Sequence, residues 1–229
     1  MPPENDFRAR SIRSFVKRSG RITPSQKNAI ESYWQFYGLD YCAEPPELPS
    51  AFQRVKLEIG IGNGDALISM AAADRESLYI GVEVHRPGIG RCLNNIHLQG
   101  LDNVRLISHD AVEVLLNMFE AGSLDQILLF FPDPWHKKRH HKRRIVNRYF
   151  RDLAHSCLKQ GGVFHAATDW QNYAEHIAAE FLADARFTNQ GDATGYCQCP
   201  DYRPATKFER RGRRLGHDVW DLIFTKGSL

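Results

Sequence analysis

From Arg54 onward, short apolar runs alternate with segments of helical period, and no other feature of the sequence restricts the fold as much. The runs at 54–59, 78–83, 104–108, 125–131 and 163–168 are too short for buried helices and read as strands. The stretches between them, near 64–73, 88–99, 111–120, 145–158 and 170–184, suit helices. Such alternation builds a mainly parallel sheet with helices packed on both of its faces. Residues 187–189 add a short strand and 219–225 a longer one. The expected fold is therefore α/β: a doubly wound, mainly parallel seven-stranded sheet with helices on both faces.

The chain before this alternation has a different character. Residues 1–22 are polar, basic and poor in large apolar groups, which predicts an arm that stays mobile until something anionic orders it. Thr23-Pro24-Ser25-Gln26 then starts a helix, with Thr23 as N-cap, Pro24 at the first helical position and Gln26 closing the capping box. That helix is expected to reach about Phe36, with Tyr33, Trp34, Phe36 and Tyr37 as packing residues. Pro45-Pro46-Glu47-Leu48-Pro49 forms a linker, so residues 1–50 are expected to make a basic arm and helix, and 51–229 the main domain.

Several function classes are disfavoured. The cysteines, Cys42, Cys92, Cys157, Cys197 and Cys199, are odd in number and scattered, a poor disulfide framework. Cys197 and Cys199 have no second cysteine pair with which to complete a four-ligand zinc site, so no metal is expected. No apolar run approaches the length of a membrane span and no signal peptide opens the chain, which predicts a cytoplasmic protein.

In a doubly wound sheet, ligands bind beyond the carboxyl ends of the strands. The first strand ends in Glu58-Ile59-Gly60-Ile61-Gly62-Asn63-Gly64. The glycine spacing departs from the dinucleotide fingerprint, and the acid just before it would repel a pyrophosphate at the helix N-terminus. A ligand with positive groups would be attracted. Glu83, about twenty residues on, ends the second strand where an acid can accept both hydroxyls of a ribose. Asp110 ends the third, placed to accept from an adenine amino group. Either acid could instead cap the helix that follows it. Taken together, strand-end acids around a glycine turn favour S-adenosylmethionine, whose sulfonium and ammonium groups are cationic.

The fourth strand runs into Pro132-Asp133-Pro134-Trp135, and prolines on both sides hold the Asp133 carboxylate in a stiff, non-helical segment. The next nine residues, 136–144, contain six Lys or Arg and three His. A net charge of +3 understates this clustering, since 8–21 and 203–214 are basic as well. Clustered charge of this kind suggests a nucleic-acid footprint.

With the glycine loop, Glu83, Asp110 and residues 131–144 in view, the chain resembles the bacterial tRNA (guanine-N7-)-methyltransferases, a class I S-adenosylmethionine-dependent family. The resemblance extends from about Arg10 to Thr225. It includes Arg13-Ser14-Phe15-Val16, Gly20-Arg21, Thr206-Lys207-Phe208-Glu209 and Arg211-Gly212; residues 187–203, Cys197 and Cys199 among them, match no motif of the family. It implies methyl transfer to N7 of a guanine in the variable loop of tRNA, by a monomer or homodimer. It also implies that Glu58, Glu83, Asp110 and Asp133, with Gly60, Gly62 and Gly64, line the methyl-donor pocket and that Asp133 is catalytic. Lys137, Asp169, Thr206, Lys207, Phe208 and Glu209 would contact the substrate. Arg139, His140, His141, Lys142, Arg143 and Arg144 would contact the RNA. The alternatives are an amino-methyltransferase acting on adenine or cytosine, a small-molecule methyltransferase, a non-catalytic RNA-binding protein on the same fold and an NAD-dependent dehydrogenase.

Overall fold

The structure is a computed structural model that describes residues 12–16, 20–205, 209, 216 and 218–227. In chain order the elements are α1 (Pro24–Tyr37), β1 (Gly38–Leu39), β2 (Arg54–Ile59), α2 (Asp65–Ala73), β3 (Ser77–Val82), α3 (Arg86–Leu98), β4 (Val104–Ile107) and α4 (Ala111–Asn117). They continue with β5 (Leu124–Phe130), α5 (Arg148–Cys157), β6 (Leu158–Thr168), α6 (Gln171–Leu182), β7 (Phe187–Asn189) and β8 (Trp220–Lys226). A 3-10 turn, Lys138–Arg143, lies between β5 and α5.

One sheet runs in the order β1-β4-β3-β2-β5-β6-β8-β7. The strands from β1 to β6 are parallel, and β8 pairs antiparallel with both β6 and β7. The α/β architecture is as expected, but the sheet has eight strands instead of seven. The extra one, β1, pairs Gly38 and Leu39 with Leu106 and Ile107. Two residues directly after a helix are too few to show any alternation, so only the pairing reveals this strand.

Local signals account for most boundaries. Thr23 accepts from the Gln26 amide at 3.3 Å while the Gln26 side chain accepts from the Thr23 amide at 2.8 Å, a complete capping box. In α6, Tyr173, Ala174, Ile177, Ala178 and Phe181 recur at helical spacing and are all buried. Phe181 stacks on Phe164 at 4.3 Å and on Phe224 at 4.9 Å, fastening α6 to β6 and β8. Burying each such ring contributes about 1.5–3 kcal/mol.

The core forms two layers. Leu57, Ile59, Ile80 and Leu129 belong to one, facing α4, α5 and α6. Leu67, Ile89, Leu93 and Leu128 belong to the other, under α1, α2 and α3. From β2 the chain builds outward through β3 and β4, then returns to build the other way from β5. The order therefore reverses between β2 and β5, and a cleft opens beyond their carboxyl ends. Among the described residues, no helix is long and apolar enough to cross a membrane.

Candidate active site

The glycine loop leaves β2 in register with β3: the Gly60 amide donates to the Val82 carbonyl at 2.8 Å, one more rung of the parallel ladder. Gly60, Gly62 and Gly64 all take left-handed φ angles, of 74°, 57° and 81°, which a side chain would strain. A Cβ added at Gly60 or Gly62 would meet nothing within 4 Å, so this side of the loop is open.

Glu83 fixes the loop from β3. Its Oε2 accepts from the Gly62 amide at 2.8 Å, and Oε1 accepts from the amides of Val84 at 2.7 Å and His85 at 2.9 Å. Asp110 caps α4 through the Val112 amide at 3.0 Å. Both acids therefore have local capping work, and both also face the cleft. Glu83 lines a cavity of about 220 Å³ with Gly60, Ser14, Phe131 and Asp133. Asp110 lines a second, of about 520 Å³, with Arg13, Trp34, Asp40 and Glu113. Phe15, Val84 and His109 border both, which makes them two ends of one cleft.

Asp133 is exposed at the lip of the smaller cavity. The turn that carries it is strained: Phe131 has φ 51° and Trp135 φ 50°, although neither is glycine. Left-handed aromatic residues persist only where their surroundings over-determine them. Here the Phe131 amide donates to the Ala167 carbonyl at 2.7 Å, Trp135 Nε1 donates to the Ser14 carbonyl at 3.3 Å, and Arg144 Nε donates to the Pro134 carbonyl at 3.0 Å.

This bracing corrects the expectation for Arg144. It is buried, donates to Asn172 Oδ1 at 2.7 Å and lies over the Tyr173 ring at 4.7 Å, so it holds the turn and does not reach outward to RNA. Arg143 is half-buried, with its guanidinium 5.0 Å from the Trp135 ring centre. Lys137, Lys138, Arg139 and Lys142 are exposed. His140 and His141 titrate below the usual imidazole range, through desolvation and then the neighbouring cations, so the positive charge of this turn comes from its Lys and Arg.

The remaining expected residues scatter. Asp169 is half-buried beyond β6, beside the exposed Trp170, whose ring meets that of His136 at 4.1 Å. Glu209 is buried in a pair with Arg203 and lines neither cavity. Thr206, Lys207 and Phe208 lie outside the described residues. Residues 12–16 fall within the arm expected to be mobile, yet Arg13, Ser14 and Phe15 lie on the cleft. Sequence reasoning missed Trp34 and Asp40 as cleft residues. Trp34 Nε1 donates to Asp40 at 2.9 Å, and Tyr41 stacks on His109 at 3.7 Å, but only the β1–β4 pairing brings these groups together.

Glu58 sits behind the loop and lines neither cavity. It is buried and its Oε2 has no hydrogen-bond partner. Burial pushes its carboxyl from 4.5 up to about 8. An open glycine turn with the acids Glu83 and Asp110 on the two cavities of the cleft suits the cationic nucleoside S-adenosylmethionine better than a phosphate ligand. The pH sign follows. The unfolded chain ionises near 4.5 while the folded one stays protonated, so the stability linked to Glu58 is complete below pH 4.5 and lost as pH rises through about 8. Urea midpoints of the wild type should therefore fall relative to Glu58→Gln over that window; parallel curves would place the Glu58 carboxyl in an ordinary, solvated state.

A family model described as "Putative methyltransferase" matches residues 53–222. A tRNA (guanine-N(7)-)-methyltransferase of Yersinia pseudotuberculosis is 52% identical over 226 residues, covering 97% of this chain and 95% of that protein. One from Shewanella amazonensis is 51% identical over the same shares of each chain. Among solved structures, the 16S rRNA methyltransferase KamB has a TM-score of 0.58 at 14% identity, covering 95% of this chain and 99% of that one. A SAM-dependent O-methyltransferase of Thermotoga maritima has a TM-score of 0.52 at 16% identity, covering 93% and 69%. At those identities the likeness shows the fold alone, that of the class I methyltransferases.

Proposed function

This chain belongs to the bacterial tRNA (guanine-N(7)-)-methyltransferase family, and on that premise we propose that the cleft between β2 and β5 holds S-adenosylmethionine beside one guanine of a tRNA. The protein is an S-adenosylmethionine-dependent methyltransferase that methylates guanine N7 in tRNA. The observation that carries the site assignment is Asp133, held in a strained turn on the same cavity as Gly60 and Glu83 and followed at once by an exposed basic turn.

Bound S-adenosylmethionine supplies an electrophilic methyl group. Glu83 would hold its ribose and Asp110 its adenine amino group as hydrogen-bond acceptors, and Gly60 and Gly62 would let the backbone approach it. Guanine N7 carries an in-plane lone pair and needs no general base. The protein's contribution is then placement, which can be worth roughly 7–11 kcal/mol, and fixed charge matched to the reaction. Asp133 accepts from the N1–H and amino edge of the guanine, and its negative charge favours the base as alkylation makes it cationic. Lys137 and Asp169 are the further residues assigned to the substrate nucleotide. The target lies in the variable loop, and a tRNA substrate places the enzyme in the cytoplasm.

Methylation of unmodified total tRNA with labelled cofactor, followed by mapping of the modified nucleoside, tests the reading. The label belongs on guanine N7 and should vanish when the target guanosine is replaced by its 7-deaza analogue. Label on an exocyclic amine would make the protein an adenine or cytosine amino-methyltransferase.

The basic turn is the proposed grip on the RNA backbone. Each phosphate it neutralises adds about 0.9 to the salt slope on duplex RNA, or about 0.7 on single strands. Substituting the exposed Lys138, Arg139 and Lys142 together should flatten the slope of log affinity against log salt by about 2–3. An unchanged slope would assign these cations to a solvated surface.

A further inference from the structure

We infer that Trp170 is a stacking platform for the nucleobase next to the target guanine, and that with His136 it extends the tRNA surface from the Asp133 turn onto the start of α6. The inference deepens the reading above, in which Asp133 meets one guanine of a tRNA.

The fold gives Trp170 no task that needs an indole. Of the four tryptophans, Trp34 packs against one core layer and Trp220 against the other, and Trp135 is held by the Ser14 carbonyl and by Arg143. Trp170 belongs to neither layer and is 37% exposed. It occupies the N-cap of α6, a position that favours Ser, Thr, Asp or Asn, and its side chain makes no capping bond there. Its backbone does the local work: the amide donates to Thr168 Oγ1 at 3.2 Å, and the carbonyl accepts from the amides of Tyr173 at 2.8 Å and Ala174 at 3.0 Å. Any residue except proline could supply those bonds.

The ring is instead fixed against the turn that carries Asp133. His136, in that turn, meets it at 4.1 Å with the planes inclined at 69°. Behind them the buried Arg144 clamps the same two segments, donating from Nε to the Pro134 carbonyl at 3.0 Å and from Nη2 to Asn172 Oδ1 at 2.7 Å. These two contacts hold the start of α6 at a set distance from Asp133. Asp133 itself is exposed at the lip of its cavity, so a guanine held there leaves its neighbours in the strand outside the cleft. Trp170 is the exposed aromatic in contact with the turn on that outer side.

Charge selects the partner. Lys137, Lys138 and Arg139, directly after His136, are all exposed. An exposed indole bordered by cations offers an unstacked nucleotide a face for its base and partners for its phosphate. The same cations favour a polyanion over an apolar protein segment. Every base has a π face, so Trp170 secures the strand without reading its sequence.

Full-length Trp170→Ala and Trp170→Phe, with unmodified tRNA transcript, test this. Affinity for tRNA is read across a range of salt, beside calorimetric affinity for S-adenosylmethionine, thermal midpoint and tryptophan emission. Trp170→Ala should bind tRNA about tenfold more weakly with the salt slope kept, because stacking releases no counterions, and cofactor affinity should not change. Trp170→Phe should recover most of the tRNA affinity yet lose part of the emission quench that tRNA causes in the wild type. Removing the base from one neighbour of the target guanine should weaken wild-type binding to the same degree and cost Trp170→Ala nothing more. Undiminished affinity of Trp170→Ala, or indifference to both neighbouring bases, would overturn the proposal. So would a reduced salt slope, which would make the loss electrostatic. If Trp170→Ala does not fold, Trp170→Phe decides: a smaller quench at near wild-type affinity sustains stacking, and an unchanged quench overturns it. Wild-type protein that leaves guanine N7 unmethylated would defeat the functional reading, whereas a methylating wild type that is indifferent to the loss of Trp170 would defeat this proposal only.

Discussion

Replacing Asp133 by Asn should slow single-turnover methylation by roughly a hundred- to a thousand-fold, the range seen when one preorganised electrostatic group is removed from a reacting centre. The substitution is nearly isosteric, so the strained turn should survive it: Arg144, Ala167 and Ser14 hold that turn through backbone groups and through neighbouring side chains, none of which is the carboxylate. Two properties are lost. The amide carries no charge to favour the alkylated base, and its NH2 end presents donors to a guanine edge that itself offers donors. Cofactor affinity, measured separately by titration, should change little, because Glu83 and Asp110 remain. A variant that methylates at near the wild-type rate would remove Asp133 from the catalytic centre and leave it a surface acid in a rigid turn.

Gly88→Ala should weaken S-adenosylmethionine binding by about ten- to a hundred-fold, the equivalent of 1–3 kcal/mol of overpacking. By helix propensity alone the change is favourable, since Ala is the better residue in a helix and Gly88 lies in the first turn of α3. Tertiary contact reverses the sign. A Cβ at this position would sit 2.1 Å from the Gly62 carbonyl oxygen and 3.0 Å from its carbon. Those are backbone atoms of the cofactor loop, with no flexible side chain to give way, so either α3 moves or the loop does. The Gly62 amide is also a donor to Glu83, which carries the disturbance to the carboxylate proposed for the ribose. Calorimetry of cofactor binding, read beside the thermal midpoint, checks this; undiminished affinity would show that the loop tolerates displacement.

The two sets of residues in these predictions differ in how far sequence reasoning could see them. Asp133 announces itself because proline acts on its own φ and on the residue before it, so the rigidity of Pro132-Asp133-Pro134 is a local property. The glycine loop and Glu83 are legible for a similar reason, through spacing along a strand–turn–helix unit. Gly88 gives no such signal, because its partner lies 26 positions earlier and meets it only when α3 packs over the loop. Arg144 misleads for the opposite reason. Within a run of cations it looks like one more phosphate contact, and only its burial against Asn172 and Tyr173 shows that it braces the Pro134 carbonyl.

By itself, then, the sequence determined what depends on neighbours a few residues apart: the strand–helix alternation, the capping box of α1, the open glycine turn and the proline-locked acid. Those features follow from side-chain period and backbone sterics, which are already present in the unfolded chain. The tertiary structure alone decided the short strand β1, the burial of Glu58, the inward turn of Arg144, the contact of Gly88 with Gly62 and the meeting of Trp170 with His136. Each of these depends on burial, or on a contact that forms only once the sheet has been assembled. Desolvation and close packing set their energies, and both exist only in the folded protein.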